Sequence, residues 1–242
     1  MDARPSEPRQ RWRLVVAREE AALDLPHRDV AAAWEAGLLA SGLPVSMSEA
    51  ATPRARIAFA APAPIGVLAE RELIDVTLTE LVLLPDARAA IVAAAPTGYR
   101  LVDLYDVWLS SPSLASLVTA GDYRAVVAVE AGEVASTDVT DAIAALLAAP
   151  VIERTRTKGQ ADVTVDIRPH VLDLRLGTPP AVGASGGAGG ALEVWMRLRL
   201  GGESGVGRPE EVVAAIGDRL SRTLVTRRLT RERIVLSDDP EV

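Results

Sequence analysis

Cysteine is absent from the 242-residue chain. That excludes disulfides, a thiolate nucleophile, zinc-finger ligation and a thiolate-held iron–sulfur cluster. Aromatic residues are scarce, with one Phe, three Tyr and four Trp. Single-strand binders usually stack bases on several exposed aromatics, so this scarcity weighs against an extended stacking surface. Lysine is reduced to Lys158 among 26 basic residues, which leaves guanidinium as nearly the only cation. Arginine suits bidentate phosphate contacts, but codon bias in a GC-rich genome gives the same enrichment. Histidine occurs only at His27 and His170, so a His-based metal site needs both halves of the chain to converge. We expect neither metal nor cofactor. No uninterrupted apolar run reaches membrane-spanning length, and residues 1–11 (MDARPSEPRQR) lack the apolar core of a signal peptide. A soluble, cytoplasmic protein without a membrane partner is expected.

What is present is the composition of a globular chain, 49% hydrophobic and 24% charged. The length suffices for one large domain or two small ones. A net charge of −7 argues against general nucleic-acid coating, yet leaves room for a local basic patch on an acidic body.

The apolar period switches between two and 3.6 along the chain, which fixes an element order. After a polar tail at 1–11, Trp12, Leu14 and Val16 alternate as a strand. Val30, Ala33, Trp34, Gly37, Leu38 and Ser41 form a helical stripe, ended by Gly42-Leu43-Pro44. A short strand at 56–60, a strand at 73–79, a helix at 86–95 and a strand at 99–109 complete β-α-β-β-α-β. The second half repeats the order, with a strand at 123–130, a helix at 138–149 and two strands within 151–167. The segment 170–176 is expected to extend the return strand past Pro169. Strands at 192–200 and 226–236 flank a helix that opens at Pro209 and ends near Gly217. The expected fold is α+β, two tandem ferredoxin-like halves packed together, spanning 12–110 and 121–237, with extra strands in the second.

Within the second half, Arg154, Arg156 and Lys158 are spaced two apart, so an extended strand puts them on one face. Lys158-Gly159-Gln160-Ala161 is turn-compatible, and Arg168 follows on the return strand. Together with Arg54 and Arg56 these residues are the candidate RNA- or anion-binding set. Arg227, Arg228, Arg231 and Arg233 form a further basic cluster, for which a solvated face is the default reading. Asp162, Asp166 and Glu153 are available to neutralise the hairpin. The Gly-rich run 183–190 leads into a strand, so it reads as a flexible connection and not a phosphate loop. His27 and Asp29, with Asp24 nearby, are candidates for general acid–base work, although Asp29 also suits a helix cap.

These residues resemble the radical-SAM-linked protein family, a domain found beside or fused to B12-binding radical SAM proteins. Family members open the first helix with Ser-His-Leu-Asp; here His27 and Asp29 stand in that motif, with Pro26 and Arg28 at the other two positions. A Gly-Phe-Asn-Pro loop is reduced to Pro53, with Ala50, Ala51 and Thr52 before it and Arg54 and Arg56 after. Pro64, Gly66, Glu72 and Asp75 match the next segments, with Leu73 in an aromatic position. The second half matches in one block at Arg154, Arg156, Lys158, Gly159, Asp166, Arg168 and Pro169, then at Arg208, Pro209 and Val212. The resemblance spans roughly residues 12–236. It implies a non-catalytic adaptor that binds RNA (tRNA or rRNA) or presents it to a radical SAM partner. The chain cannot itself hold the radical SAM cluster, which needs three cysteines. Duplicated ferredoxin-like halves are also similar to CRISPR-repeat RNA endonucleases, so a metal-independent endonuclease using His27 is the enzyme alternative. A protein–protein adaptor without an RNA role is the third expectation.

Overall fold

Alternating apolar residues at the start of the chain become β1, Gln10–Arg18, in a computed structural model that describes residues 7–159, 161–177, 191–201 and 205–239. The fold is mixed α+β. The chain divides into two units, Met1–Val118 with Leu236–Val242, and Thr119–Val235.

In the first unit β1 is followed by α1 (His27–Ala40), β2 (Ile57–Phe59), β3 (Leu68–Leu78), α2 (Leu84–Ala94) and β4 (Tyr99–Asp106), then the short α3 (Leu114–Leu117). The strands lie in the order β4-β1-β3-β2, and each of these pairings is antiparallel. Period two puts Trp12, Leu14 and Val16 of β1 on the same side as Ile74, Val76 and Leu78 of β3. That side packs against Val30, Trp34 and Leu38 of α1 and Ala87, Ile91 and Ala94 of α2. The helices approach closely at Gly37, where a Cβ would lie 2.2 Å from the Ala94 carbonyl oxygen. Helix α1 has no side-chain cap: Pro26 occupies the cap position, and Asp29 lies inside the first turn. The capping role considered for Asp29 is therefore corrected, and its charge acts through the helix dipole instead. Gly42 follows the helix with φ of +80°, a left-handed conformation that glycine adopts without strain.

The second unit contains β5 (Val118–Val129), α4 (Ser136–Ala148), β6 (Glu153–Lys158), β7 (Ala161–Asp166), β8 (Val171–Leu176), β9 (Leu192–Arg199), α5 (Pro209–Leu220) and β10 (Leu224–Leu236). Four strands lie in the order β10-β5-β9-β8, while β6 and β7 form a two-stranded sheet of their own. Tyr123, Ala125 and Val127 of β5 and Val194, Met196 and Leu198 of β9 meet Val139, Ile143 and Leu146 of α4 and Val212, Val213 and Ile216 of α5.

Strands β3 and β5 each begin five residues earlier than expected, at Leu68 and Val118, and two further boundaries differ. The segment 170–176 does not extend β7: a 3-10 turn over Arg168–His170 breaks the chain direction at Pro169, and β8 then pairs antiparallel with β9. Proline lacks the N–H that a continuing ladder would use. Helix α5 also runs past Gly217 to Leu220, and Ser221 caps it in a left-handed conformation. Gly217 is required for another reason, since a Cβ there would lie 2.6 Å from the Arg222 carbonyl oxygen. The run 183–190 lies outside the described residues. Among the described residues no helix is long and apolar enough to cross a membrane.

Candidate nucleic-acid interface

The β6–β7 hairpin has the alternation that its sequence predicts. In its antiparallel register Arg154 stands opposite Val165 and Arg156 opposite Val163. Opposed residues share a face. Because Val165 packs on the core, the two arginines are turned toward α5 and are not left facing open solvent. Arg156 donates through Nε and Nη2 to both carboxylate oxygens of Glu211, at 2.6 and 2.7 Å. Arg154 donates through Nη1 to Asp218. The pairs differ in depth: the Asp218 side chain is 71% exposed and the Glu211 side chain 12%. The neutralising carboxylates are thus Glu211 and Asp218, more than fifty residues away, and not the hairpin's own acids. Asp162 instead accepts from Thr157 Oγ1 at 2.9 Å. The opposite face carries Glu153, Thr155, Thr157, Asp162, Thr164 and Asp166, all exposed. Lys158 ends β6, and its side chain lies outside the described set.

The residue spacing around the hairpin is architectural in this geometry. Asp166 Oδ1 accepts the backbone N–H groups of Ile152 and Arg168, at 2.8 and 2.9 Å, closing the base of the hairpin. Those two hydrogen bonds hold its carboxyl below the usual carboxylate range. Arg168 donates to the carbonyls of Val171 and Leu147, so it ties β8 to the last turn of α4. Gly159 supplies the turn with φ of +67°, and Arg208 with Pro209 starts α5. Arg54 donates to both Glu35 carboxylate oxygens, and Arg56 lies 3.9 Å from Glu49.

His27 packs edge-on against Phe59, with ring centroids 5.0 Å apart. It has no hydrogen bond to Asp24 or Asp29 among the described residues. Asp29 accepts from Arg28 Nε at 3.0 Å. The structure therefore brings Arg154, Arg156, Gly159, Asp166, Arg168, Pro169, Arg208 and Pro209 into one corner of the second unit, while His27, Asp29, Arg54 and Arg56 belong to the first.

A second arginine-bearing surface, with Asp122, Asp173, Glu193 and Glu232 among its arginines, lies on the side of the second unit's sheet turned away from α4 and α5. Alternation sends Glu193, Trp195, Arg197 and Arg199 of β9 outward. Register places Arg124 of β5 opposite Trp195 on one flank and Arg175 of β8 opposite it on the other. The Arg175 Cζ lies 3.9 Å from the Trp195 ring centroid, a cation–π stack. Trp195 Nε1 donates to Glu232 Oε2 at 3.0 Å, and Arg124 Nε approaches the other oxygen of Glu232 at 3.0 Å. In the next row Asp122 accepts from Arg197 and Arg233. Burial works against its ionised form, but the two guanidiniums outweigh that and hold its carboxyl below the usual range. Arg175 and Arg199 have no carboxylate partner among the described residues; Arg199 only reaches the Pro169 carbonyl at 3.4 Å. The outward alternation was legible in the sequence. The Arg175–Trp195 stack was not, because it depends on which residues two strands oppose.

The hairpin block and the outward row of β9 both fall within a match to a family model described as "Uncharacterized protein conserved in bacteria (DUF2344)", over residues 11–204. The chain belongs to that family. The DUF2344 match ends before α5, so Glu211 and Asp218 lie beyond it. No curated protein sequence matches this DUF2344 chain. Among solved structures it is similar to a chain of a Cbf5-Nop10-Gar1 complex, with TM-score 0.49 and 11% identity over 91% of this chain and 49% of that one. It is also similar to chains of an archaeal box H/ACA sRNP Nop10-Cbf5 complex (TM-score 0.46, 12% identity, 92% and 48%) and of an H/ACA RNP bound to a substrate RNA containing 2′-deoxyuridine (0.46, 11%, 91% and 47%). This chain spans about half the length of each.

Proposed function

We propose that this DUF2344 protein is a non-catalytic, cytoplasmic RNA-binding adaptor that presents tRNA or rRNA to a radical SAM enzyme. We place its RNA contact on the outer sheet face of the second unit. The observation that carries the reading is the pair of arginines on that face, Arg175 and Arg199, that have no carboxylate partner among the described residues, beside Arg124, Arg197 and Arg233, which are paired with Glu232 and Asp122. Phosphate oxygens are the natural partners for unpaired guanidinium groups. The strand orders β4-β1-β3-β2 and β10-β5-β9-β8 support reading each unit as ferredoxin-like, with the β6–β7 hairpin inserted in the second. In such a unit helices cover one sheet face and leave the other for ligands. The radical SAM partner rests on the residue block from Arg154 to Pro169 and from Arg208 to Val212.

Arg154, Arg156, Arg168, Arg54 and Arg56 would each have to give up a carboxylate or carbonyl partner to hold a phosphate, so we assign them to holding the fold of their own units. Lys158 at the hairpin tip remains a candidate phosphate contact. The endonuclease alternative draws no support from His27, which packs on Phe59 and has no hydrogen bond to Asp24 or Asp29 among the described residues.

The test is RNA binding by the purified full chain, measured for a tRNA and a short loop RNA at low salt. Wild type should bind both, and Arg175→Ala with Arg199→Ala should bind more weakly. Absence of binding, with capture of a radical SAM protein intact, would replace the RNA reading by the protein-adaptor one. RNA cleavage lost on His27→Ala would replace it by the endonuclease.

A further inference from the structure

We infer that Trp195 and Arg175 form a stacking site for one unpaired nucleobase, so that the ligand class is single-stranded RNA and not duplex. This rests on the RNA reading above and specifies it. Trp195 stands on β9, between β5 and β8, on the outward face. The register makes Arg124, Trp195 and Arg175 one row across three strands. The Glu232 carboxylate holds the indole by its Nε1–H, so the ring plane is fixed before any ligand arrives. The Arg175 Cζ stands over that ring at 3.9 Å from its centroid, and the residue is exposed.

Two modes of base stacking follow from this arrangement. A base can stack on the outer plane of the guanidinium, or displace Arg175 on its flexible stem and take the indole face. Both surfaces are ones on which unstacked bases settle. A displaced Arg175 keeps its charge and has no carboxylate partner among the described residues, which leaves it for the adjoining phosphate. A duplex offers its phosphates but no free base face, so it would use the cations and leave the stack untouched. The scarcity of aromatics is consistent with a site for one base and not a run of them.

The experiment measures fluorescence anisotropy of a short labelled single-stranded RNA, the same backbone lacking its bases, and a duplex of equal length. Wild type should bind the intact strand about tenfold or more tighter than the abasic one. Trp195→Leu should lose that preference while keeping its salt dependence, and Trp195→Phe should restore most of it. Equal binding of all three RNAs by wild type, unchanged in Trp195→Leu, would overturn the stacking site and leave the RNA reading standing. Failure to bind any RNA would overturn the RNA reading itself. Should Trp195→Leu not fold, indole fluorescence decides: Trp195 is half-buried, and Trp108→Phe removes the one exposed indole, while Trp12 and Trp34 are buried. Quenching by intact but not abasic RNA in that variant supports the site, and no quenching by either overturns it.

Discussion

Arg154 and Arg156 show how little side-chain type says about role. They are two residues apart, on one strand face, each with a carboxylate from α5, yet they differ in depth. Asp218 is largely in water, so its pair with Arg154 is a surface bridge. Arg154→Ala should therefore cost less than about 1 kcal/mol. Arg156 makes a bidentate, charge-assisted contact with the mostly buried Glu211, and Arg156→Ala should cost about 1.5–3 kcal/mol. Denaturant unfolding of the two variants checks the order, and equal costs would contradict it. Asp166 adds a pH dependence. Its folded carboxyl titrates below the ordinary range because two backbone N–H groups bind the ionised form. A depressed pKa means that the ionised group stabilises the fold above its unfolded value, and that this stability is lost as pH falls through the folded one. Asp166→Asn keeps an acceptor but no charge. The advantage of wild type over Asp166→Asn should be full at neutral pH and fade below the ordinary carboxylate range. An advantage that stays constant into strong acid would count against this account.

At the scale of elements, period and punctuation carried the element order. Trp12, Leu14 and Val16 announced β1; Val30, Trp34 and Leu38 announced α1; Pro209 opened α5. Propensity could not locate β8, because His170–Leu176 reads as more of β7 until the turn at Pro169 is seen. Nor could it say which face of the hairpin looks outward. Alternation separates Arg154 and Arg156 from Thr155 and Asp166, but only packing of Val165 on the core decides which set is covered. The same limit hid Arg13 and Asp75: both are 4% exposed and form a bidentate pair at 2.7 and 3.0 Å, although each reads as a solvent-facing strand charge. Gly37 looked like one small member of a helical stripe, and its reason lies on α2. A methyl group there would meet the Ala94 carbonyl oxygen at 2.2 Å, so Gly37→Ala should destabilise by about 1–3 kcal/mol through separation of α1 from α2. Thermal melting of the variant measures this, and an unchanged midpoint would mean that the helices can part freely.

For the whole molecule, a net charge of −7 coexists with two guanidiniums, Arg175 and Arg199, that have no carboxylate partner among the described residues. Most guanidiniums are spent on the fold: Arg18 alone donates to the carbonyls of Ala22, Leu23, Leu25, Ala63 and Pro64. A charge count along the sequence cannot separate these from Arg175 and Arg199, since pairing depends on register and not on spacing. Membership of DUF2344 says which chains share the architecture and leaves its use to be tested. The most direct test is the salt dependence of single-stranded RNA binding by the full chain. On single strands each phosphate contact contributes about 0.7 to the slope of log K against log salt. Arg175→Ala with Arg199→Ala should lower the slope by roughly 1.4 and weaken binding at every salt concentration, whereas Arg154→Ala should leave the slope unchanged. The same affinity and slope in the double variant, or a slope lost in Arg154→Ala instead, would contradict an RNA interface on the outer sheet face.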